Sequence, residues 1–269
     1  MTLSAIILTR NEERNIAECL SNISFAEELL VVDSGSTDQT VALAEQCGAR
    51  VIAHPFSDFA SQRNFAMSQA KGDWVLFIDA DERVTPELAE EIKETILAQP
   101  VIPEIFNRGS SAGFPLEACG NDENQRLAVY AIPFRTFFFG KRLRFGDSVG
   151  DLHIRLFPKL EVAWTQPVHE QIVTDLPVRT LKNPICHYST RDFAHYRNKV
   201  ACYVARELAV MKQKGIRPSL FRAVFMPPAR FFQLYFLKLG ILDGIAGFQY
   251  AILSAYYTFE KHWRYRKKR

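Results

Sequence analysis

Residues 74–86 read WVLFIDADERVTP. Five apolar or aromatic residues run straight into Asp79-Ala80-Asp81-Glu82, so three carboxylates in four positions stand at the end of what the apolar run predicts to be a buried strand. Like charges at this spacing repel, and they persist only where something uses or neutralises them. Thr85 and Pro86 then open TPELAEEIKETILA (85–98), with an N-cap threonine and a proline at the first helical position. Strand, acidic turn and helix make one βα unit.

The same unit recurs upstream. LSAIIL (3–8), ELLVVD (28–33) and RVIA (50–53) have strand length, and DWVLFID (73–79) is the fourth strand. Between them, residues 12–23 carry Ile16, Leu20 and Ile23 at helical spacing, and 38–48 and 58–72 read as helices ended by Gly48 and Gly72. Strands alternating with helices predict an α/β fold with a parallel sheet. The strands are continuous apolar runs, as expected when helices cover both faces. Beyond Pro100 the pattern breaks. Residues 100–125 are rich in proline, glycine and polar side chains and predict a loop long enough to be a lid or an insertion. Short, mixed strands are expected over 127–187, and the chain turns helical from 191.

Net charge is +3, but it is split. Residues 1–100 hold 7 Lys/Arg against 17 Asp/Glu, whereas 101–269 hold 26 against 13. This asymmetry predicts an acidic catalytic half and a basic half facing an anionic partner, nucleic acid or an anionic membrane surface. Cys19, Cys47, Cys119, Cys186 and Cys202 are odd in number and form no CxxC pair, which predicts reduced thiols rather than a disulfide frame or a zinc site. The N-terminus enters a strand at once, and no secretory signal is expected.

In a parallel open sheet, ligands bind beyond the carboxyl ends of the strands. Three polar clusters fall there: TRNEE (9–13), DSGSTD (33–38) and DADE (79–82). Thr9-x-x-Glu12 and Ser36-x-x-Gln39 each also fit a helix capping box, a purely structural role. Caps do not require aspartate at the last strand position, where Asp33 and Asp79 fall. Asp79 and Asp81 have the spacing to offer oxygens to one hard cation, Mg²⁺ or Mn²⁺. Glu82 is expected to face the start of the following helix. No strand is followed by a P-loop or GxGxxG, and no GxSxG elbow is present.

IILTRNEERNI, LLVVDSGSTDQT and SQRNFAMSQAKGDWVLFIDADERV, in this order and spacing, resemble the family 2 glycosyltransferases of the GT-A fold. RLFPK, PVHEQI, ICHYSTRDFAHYRNKVACYVARELA and KLGILDGIAGFQYAI resemble the subgroup that adds sugars to the inner core of lipopolysaccharide, including β-1,4-glucosyltransferase-like enzymes acting on heptose. The likeness departs at 100–125. It implies a GT-A-like, Rossmann-like, mostly parallel sheet flanked by helices. The catalytic domain would span 1–190, with a nucleotide-sugar half at 1–99 and an acceptor half at 127–190, and 191–269 would be a helical extension.

The resemblance further implies an inverting transfer of a sugar, glucose from a UDP-linked donor, to a lipopolysaccharide inner-core or other cell-envelope acceptor, with a divalent cation. Thr9, Asn11 and Glu12 would line the nucleotide pocket and Asp33 would read the base. Gln62, Arg63 and Asn64 fill the QRN position, where Arg63 would meet nucleotide or phosphate. Asp79-Ala80-Asp81 would contact the donor, Asp79 holding ribose or cation and Asp81 the cation. Glu170 would take the acceptor proton. His169 completes the metal shell, orients Glu170 or packs as an ordinary histidine; Trp164 stacks on a sugar or sits in the core. A nucleotidyltransferase would also use paired acids on a parallel sheet, but TRNEERN lacks the glycines of its phosphate loop. A non-catalytic membrane adaptor is the other alternative, and the intact acids argue against it.

The basic C-terminal third interrupts apolar stretches with Arg217, Arg222, Arg230 and Lys238. GILDGIAGFQYAILSAYYTF (240–259) approaches the length of a spanning helix, roughly 20 residues, yet Asp243, Gln249 and three glycines interrupt it. Interfacial helices with cations at lipid phosphate are expected, and the resemblance implies that they lie on the cytoplasmic face of a bacterial inner membrane, peripheral or monotopic. A buried hairpin at a dimer interface is the bland alternative. No nucleic-acid partner is expected, because the aromatics fall within apolar helical runs rather than among the cations.

Overall fold

The computed structural model describes residues 1–99, 127–147, 150–159, 162–165, 171–190, 192–216 and 219–267. The loop expected at 100–125 lies outside them. The chain forms two compact units, Met1–Phe134 with Leu152–Cys186, and Arg135–Asp151 with His187–Arg269.

In the first unit the N-terminal elements follow the expected alternation: β1 (Leu3–Thr9), α1 (Ile16–Asn22), β2 (Glu28–Asp33), α2 (Thr40–Gln46), β3 (Arg50–Ala53), α3 (Phe59–Gln69) and β4 (Trp74–Phe77). Then come β5 (Glu82–Val84), α4 (Pro86–Leu97), β6 (Val129–Phe138), β7 (Lys141–Arg142), β8 (Leu152–Pro158), β9 (Ala163–Thr165), β10 (Gln171–Val173), β11 (Val178–Thr180) and β12 (Ile185–Thr190). The main sheet runs β3-β2-β1-β4-β8-β6-β12-β5. β1, β2, β3 and β4 pair in parallel; β8 is antiparallel to both β4 and β6, so the sheet is mixed. Thr9 stands opposite Asp33 and Asp33 opposite Ala53, which brings the ends of β1, β2 and β3 to one level.

The parallel half is apolar because helices bury it on both sides. Ile6, Ile7, Leu30, Val31 and Trp74 to Phe77 are all buried. α4 adds Leu88, Ile92 and Ile96 at helical spacing, each burial favourable by about 1.5–3 kcal/mol. Its start is the one expected: Thr85 accepts from Leu88 N at 3.3 Å with Pro86 following. The two capping boxes do not form. α1 begins only after Asn15 and α2 only after Gln39, and neither has a side-chain cap. Thr9 and Ser36 bond across the strand-end loops instead.

The second unit holds β7, α5 (Phe193–Gln213), α6 (Leu220–Phe232), a π turn (Gln233–Leu237), a 3₁₀ turn (Gly240–Asp243) and α7 (Gly244–Lys267). Its apolar clusters join Phe138 and Leu143 to Ala246 and Leu253, and Val200, Val204, Leu208 and Met211 to one another. The extension expected from 191 is thus part of a unit that also takes in 135–151. The run 240–259 is not one helix: it turns through 240–243 before α7 begins.

Candidate active site

Asp79 is the second residue past β4. Ile78 N donates to Ile6 O at 3.0 Å, so the strand pairing ends one residue before it. The acidic turn then closes on itself: Glu82 N donates to Asp79 O and Asp79 N to Glu82 Oε2, both at 2.9 Å. Three arginines surround it. Arg155 Nη2, from β8, donates to Asp79 Oδ2 at 2.9 Å and to Glu82 Oε1 at 2.6 Å. Arg83 donates to the carbonyls of Ala80 at 2.8 Å and Glu82 at 2.7 Å and reaches Glu18 Oε2 at 2.8 Å. Arg63 Nη2 lies 3.9 Å from Asp79 Oδ1. The repulsion implicit in DADE is therefore offset by guanidinium groups of the chain itself.

This corrects the expectation for Glu82. It does not face the next helix; it is 1% exposed and lies beneath the turn between Asp79 and Arg155. Burial pushes its carboxyl well up, with Arg155 pulling the other way and Asp79 adding to the rise. Burial also opposes the charge on Arg155, but the Asp79 and Glu82 carboxylates outweigh it and hold the guanidinium firmly protonated. Burial likewise pushes up the thiol of Cys19, whose Sγ meets Asp79 O at 3.6 Å. Asp79 itself keeps 41% of its side chain exposed, and Asp81 is half-buried.

The QRN residues divide by direction, as three consecutive helical positions must. Gln62 is buried and braces the sheet edge, donating to Ser34 Oγ at 3.1 Å and His54 O at 3.2 Å and pairing with His54 Nδ1 at 2.8 Å. Arg63 is buried, with its guanidinium 5.0 Å from the Phe77 ring and 4.7 Å from the Trp164 ring, in reach of cation–π attraction. Asn64 clasps the backbone of Trp164: Oδ1 accepts from its N and Nδ2 donates to its O, both at 2.9 Å. Trp164 is a core residue packed on Arg63, Phe77 and Phe157, not a sugar platform.

That clasp bears on the acceptor side. β9 and β10 form a two-stranded hairpin in which Thr165 is opposite Gln171. The expected base Glu170 and its neighbour His169 lie in the connection, 166–170, outside the described residues. The structure places the ends of this connection: one follows the strand held by Asn64, the other enters β10.

TRNEE and DSGSTD form a cross-linked pair of loops. Asp33, buried at the end of β2, accepts from Thr9 Oγ1 at 3.1 Å, Gly35 N at 2.9 Å and Ser36 N at 2.8 Å. Its oxygens shape the turn as well as offering an edge to a base. Asn11 has φ +57°, a left-handed conformation uncommon outside glycine. It donates from N to Ser36 Oγ at 2.8 Å, and its Oδ1 accepts from Thr37 N at 2.8 Å. Glu12 N donates to Thr40 Oγ1 at 2.7 Å, and its carboxylate accepts from Asn15 at 2.6 Å. Thr9, Asn11, Glu12 and Asp33 are thus brought together, with Gln62 bonded to Ser34 beside them; of the QRN residues Arg63 alone reaches the turn of Asp79, Ala80 and Asp81, and Asn64 turns to Trp164.

Sequence reasoning missed Arg155 and Glu82. The signal available was the acidic turn itself, since carboxylates crowded at the end of a buried strand need cations close by. Among the described residues no three His, Cys, Asp or Glu side chains assemble a metal centre. A half-exposed pair of carboxylates still fits Mg²⁺ or Mn²⁺, which take one or two carboxylates and complete their shell with substrate phosphate and water. Since Arg155 already engages Asp79, Asp81 would be the principal protein ligand.

Residues 4–144, a little over half the chain, match the model for glycosyl transferase family 2. A glycosyltransferase of Rickettsia felis is 28% identical over 96% of this chain and 87% of its own. The lipopolysaccharide core biosynthesis glycosyltransferase LpsC of Rhizobium meliloti is 26% identical over 97% of this chain and 93% of its own. A solved glucosyl-3-phosphoglycerate synthase of Mycobacterium tuberculosis, with Mn²⁺, UDP and glucosyl-3-phosphoglycerate, is 33% identical, but the match covers 30% of this chain and 34% of that one at a TM-score of 0.28, too partial to speak for the fold. With its strand-end acids, its QRN helix and the family match across them, the chain belongs to glycosyl transferase family 2.

Proposed function

We propose that this chain is an inverting hexosyltransferase that moves glucose from UDP-glucose to a lipopolysaccharide inner-core or other lipid-linked cell-envelope glycan, at the cytoplasmic face of a bacterial inner membrane. The observation that carries the reading is Asp79, half-exposed at the end of β4 and held between Arg155 at 2.9 Å and Arg63 at 3.9 Å. A carboxylate fixed by two cations keeps its position, and can accept hydroxyl hydrogens of ribose or sugar. Arg63, clamped between two rings, offers a preorganised donor fork to phosphate. TRNEE and DSGSTD supply the neighbouring nucleotide edge. Asp81, with Asp79 beside it, would hold Mg²⁺ or Mn²⁺; when bound, the cation neutralises charge on the leaving diphosphate.

Glu170 takes the acceptor hydroxyl proton as that oxygen attacks the anomeric carbon. Asn64 sets the strand that leads into the Glu170 connection. The name and near-complete coverage of LpsC favour a lipopolysaccharide core acceptor. The test is a thermal-shift screen of UDP-, GDP- and ADP-linked sugars with and without each metal, followed by transfer to lipid A–core heptose acceptors. Stabilisation by UDP-glucose and a glucosylated product are expected. Pyrophosphate release from a nucleoside triphosphate with a sugar phosphate, and no transfer, would replace this reading with nucleotide-sugar synthesis.

A further inference from the structure

Fifteen of the 23 large hydrophobic side chains exposed among the described residues lie between Leu220 and Phe259. They concentrate at the bend between α6 and α7, where Phe236, Leu237, Leu239, Ile241, Leu242 and Ile245 are all open to solvent. Soluble surfaces scatter such residues singly; a contiguous patch marks a partner or a lipid phase.

The bend is built, not frayed. α6 carries Pro227 and Pro228 and runs into the π turn at Gln233–Leu237. Leu239 then adopts φ +57°. A Cβ at Gly247 would stand 1.8 Å from Gly240 O, and one at Gly240 would stand 2.7 Å from Leu234 O. The glycines that weaken this stretch as a straight helix are what let its turns close.

The carboxylates at the bend are engaged within the unit. Asp243 accepts from the backbone N of Arg144 and of Phe145, each at 2.9 Å. Asp147 pairs with Arg230 and, at 2.9 Å, with Lys238. Both carboxylates that would oppose insertion are thereby satisfied within the unit. Among the described residues no single helix is long and apolar enough to cross a membrane, but Leu220–Leu237 and Gly240–Arg266, bent by 73°, meet that test of length and composition as a pair.

We propose that the α6–α7 bend dips into one leaflet of an anionic bilayer and does not span it, with Leu237, Leu242 and Ile245 among the acyl chains. Charge selects this occupant. The exposed cations of the two helices and the bend between them include Arg222, Lys238, Arg264 and Arg266, and residues 179–269 carry 18 Lys/Arg against 4 Asp/Glu. A second copy docked by a two-fold axis would set these like charges against each other, because such an interface is self-complementary. Anionic headgroups attract them. The inference rests on the membrane-surface reading above and names the element that inserts.

The test is flotation of the full chain with phosphatidylcholine vesicles, with or without about 30% phosphatidylglycerol, an anionic fraction large enough to give a negative surface potential. Binding to the anionic vesicles that is weakened but not abolished by salt is expected. L237D/L242D/I245D should bind about tenfold less or worse, since apolar burial drives insertion, with unchanged helical circular dichroism and UDP-glucose binding. A bimane label on Leu242→Cys should shift to the blue on these vesicles; this keeps the test open if the triple variant misfolds. Equal vesicle binding by the triple variant, or an unshifted label, overturns the proposal. So does a vesicle-inert wild type that is dimeric by light scattering and becomes monomeric on the triple substitution. The flotation and label measurements contain neither donor nor acceptor, so their failure leaves the transferase reading standing.

Discussion

Arg155 Nη2 lies 2.9 Å from Asp79 Oδ2, joining a β8 arginine to the first aspartate of the DADE turn across 76 positions of sequence. The same nitrogen donates to the buried Glu82 at 2.6 Å. One guanidinium thus holds both the half-exposed acid of the proposed donor site and the hidden acid that supports the turn.

Removing that guanidinium leaves the buried Glu82 carboxyl without its cation and makes ionising it costlier. Arg155→Met should destabilise the fold by about 3–5 kcal/mol, as breaking a buried pair does, and E82Q/R155M should recover part of it. Without Arg155, the already raised Glu82 stays protonated to still higher pH. A folded-state pKa above the unfolded value favours folding at low pH and loses that benefit as pH rises through the folded value. The R155M deficit should therefore shrink on acidification, as urea unfolding between neutral and mildly acid pH would show. A deficit independent of pH and of Glu82→Gln would mean that Arg155 does not act through Glu82.

Asn64 should matter to transfer more than to donor binding. Asn64→Ala removes two bonds to the Trp164 backbone, costing about 1–3 kcal/mol of stability. A small displacement of the strand leading to Glu170 is enough to slow transfer by about 10²-fold. Calorimetric UDP-glucose affinity should stay near wild type. A variant that loses affinity and rate in proportion would place Asn64 in the donor site.

Glu170→Gln tests the base directly. Turnover should fall by about 10²–10⁴-fold, the usual worth of general base catalysis, with donor affinity kept. Loss of donor binding would reassign Glu170 to structure.

Asp147 links the bend to the loop before it. Burial alone would raise its carboxyl, but the bonds from Lys238 and Arg230 outweigh this and hold it below the ordinary 3.8. A depressed carboxylate adds stability that is present above the unfolded pKa and lost as pH falls through the folded one. The helices of the second unit should loosen below that ordinary value in the wild type. Asp147→Asn should already show the loss at neutral pH and add no acid step of its own. Circular dichroism titrations of the two proteins that coincide at every pH would contradict this role.

What could be read in the sequence was what depends on neighbours along the chain. The runs Leu3–Thr9 and Glu28–Asp33 announce buried strands by composition, and Thr85-Pro86 announces a helix start by local chemistry. Thr9 and Ser36 were ambiguous because a capping box and a cross-loop bond use the same side chains. Only the pairing of β1 with β2, which sets Thr9 beside Asp33, decides between them. Arg155 and Glu82 were hidden for a similar reason: their partnership exists only once β8 is brought alongside β4. Gly240 and Gly247 were read as helix breakers, whereas their contact with the turn needs the bend to be seen.

The central claim is that the end of β4 binds a nucleotide sugar with a divalent cation on Asp81. Calorimetric titration of UDP-glucose into the full chain tests it most directly, with Mn²⁺ or Mg²⁺ and again with chelator, in parallel with Asp81→Ala. Binding that requires the metal in the wild type, and is lost in the folded Asp81→Ala protein, is the result predicted. No binding of any UDP-, GDP- or ADP-linked sugar with either metal, or metal-dependent binding undiminished by Asp81→Ala, would contradict it.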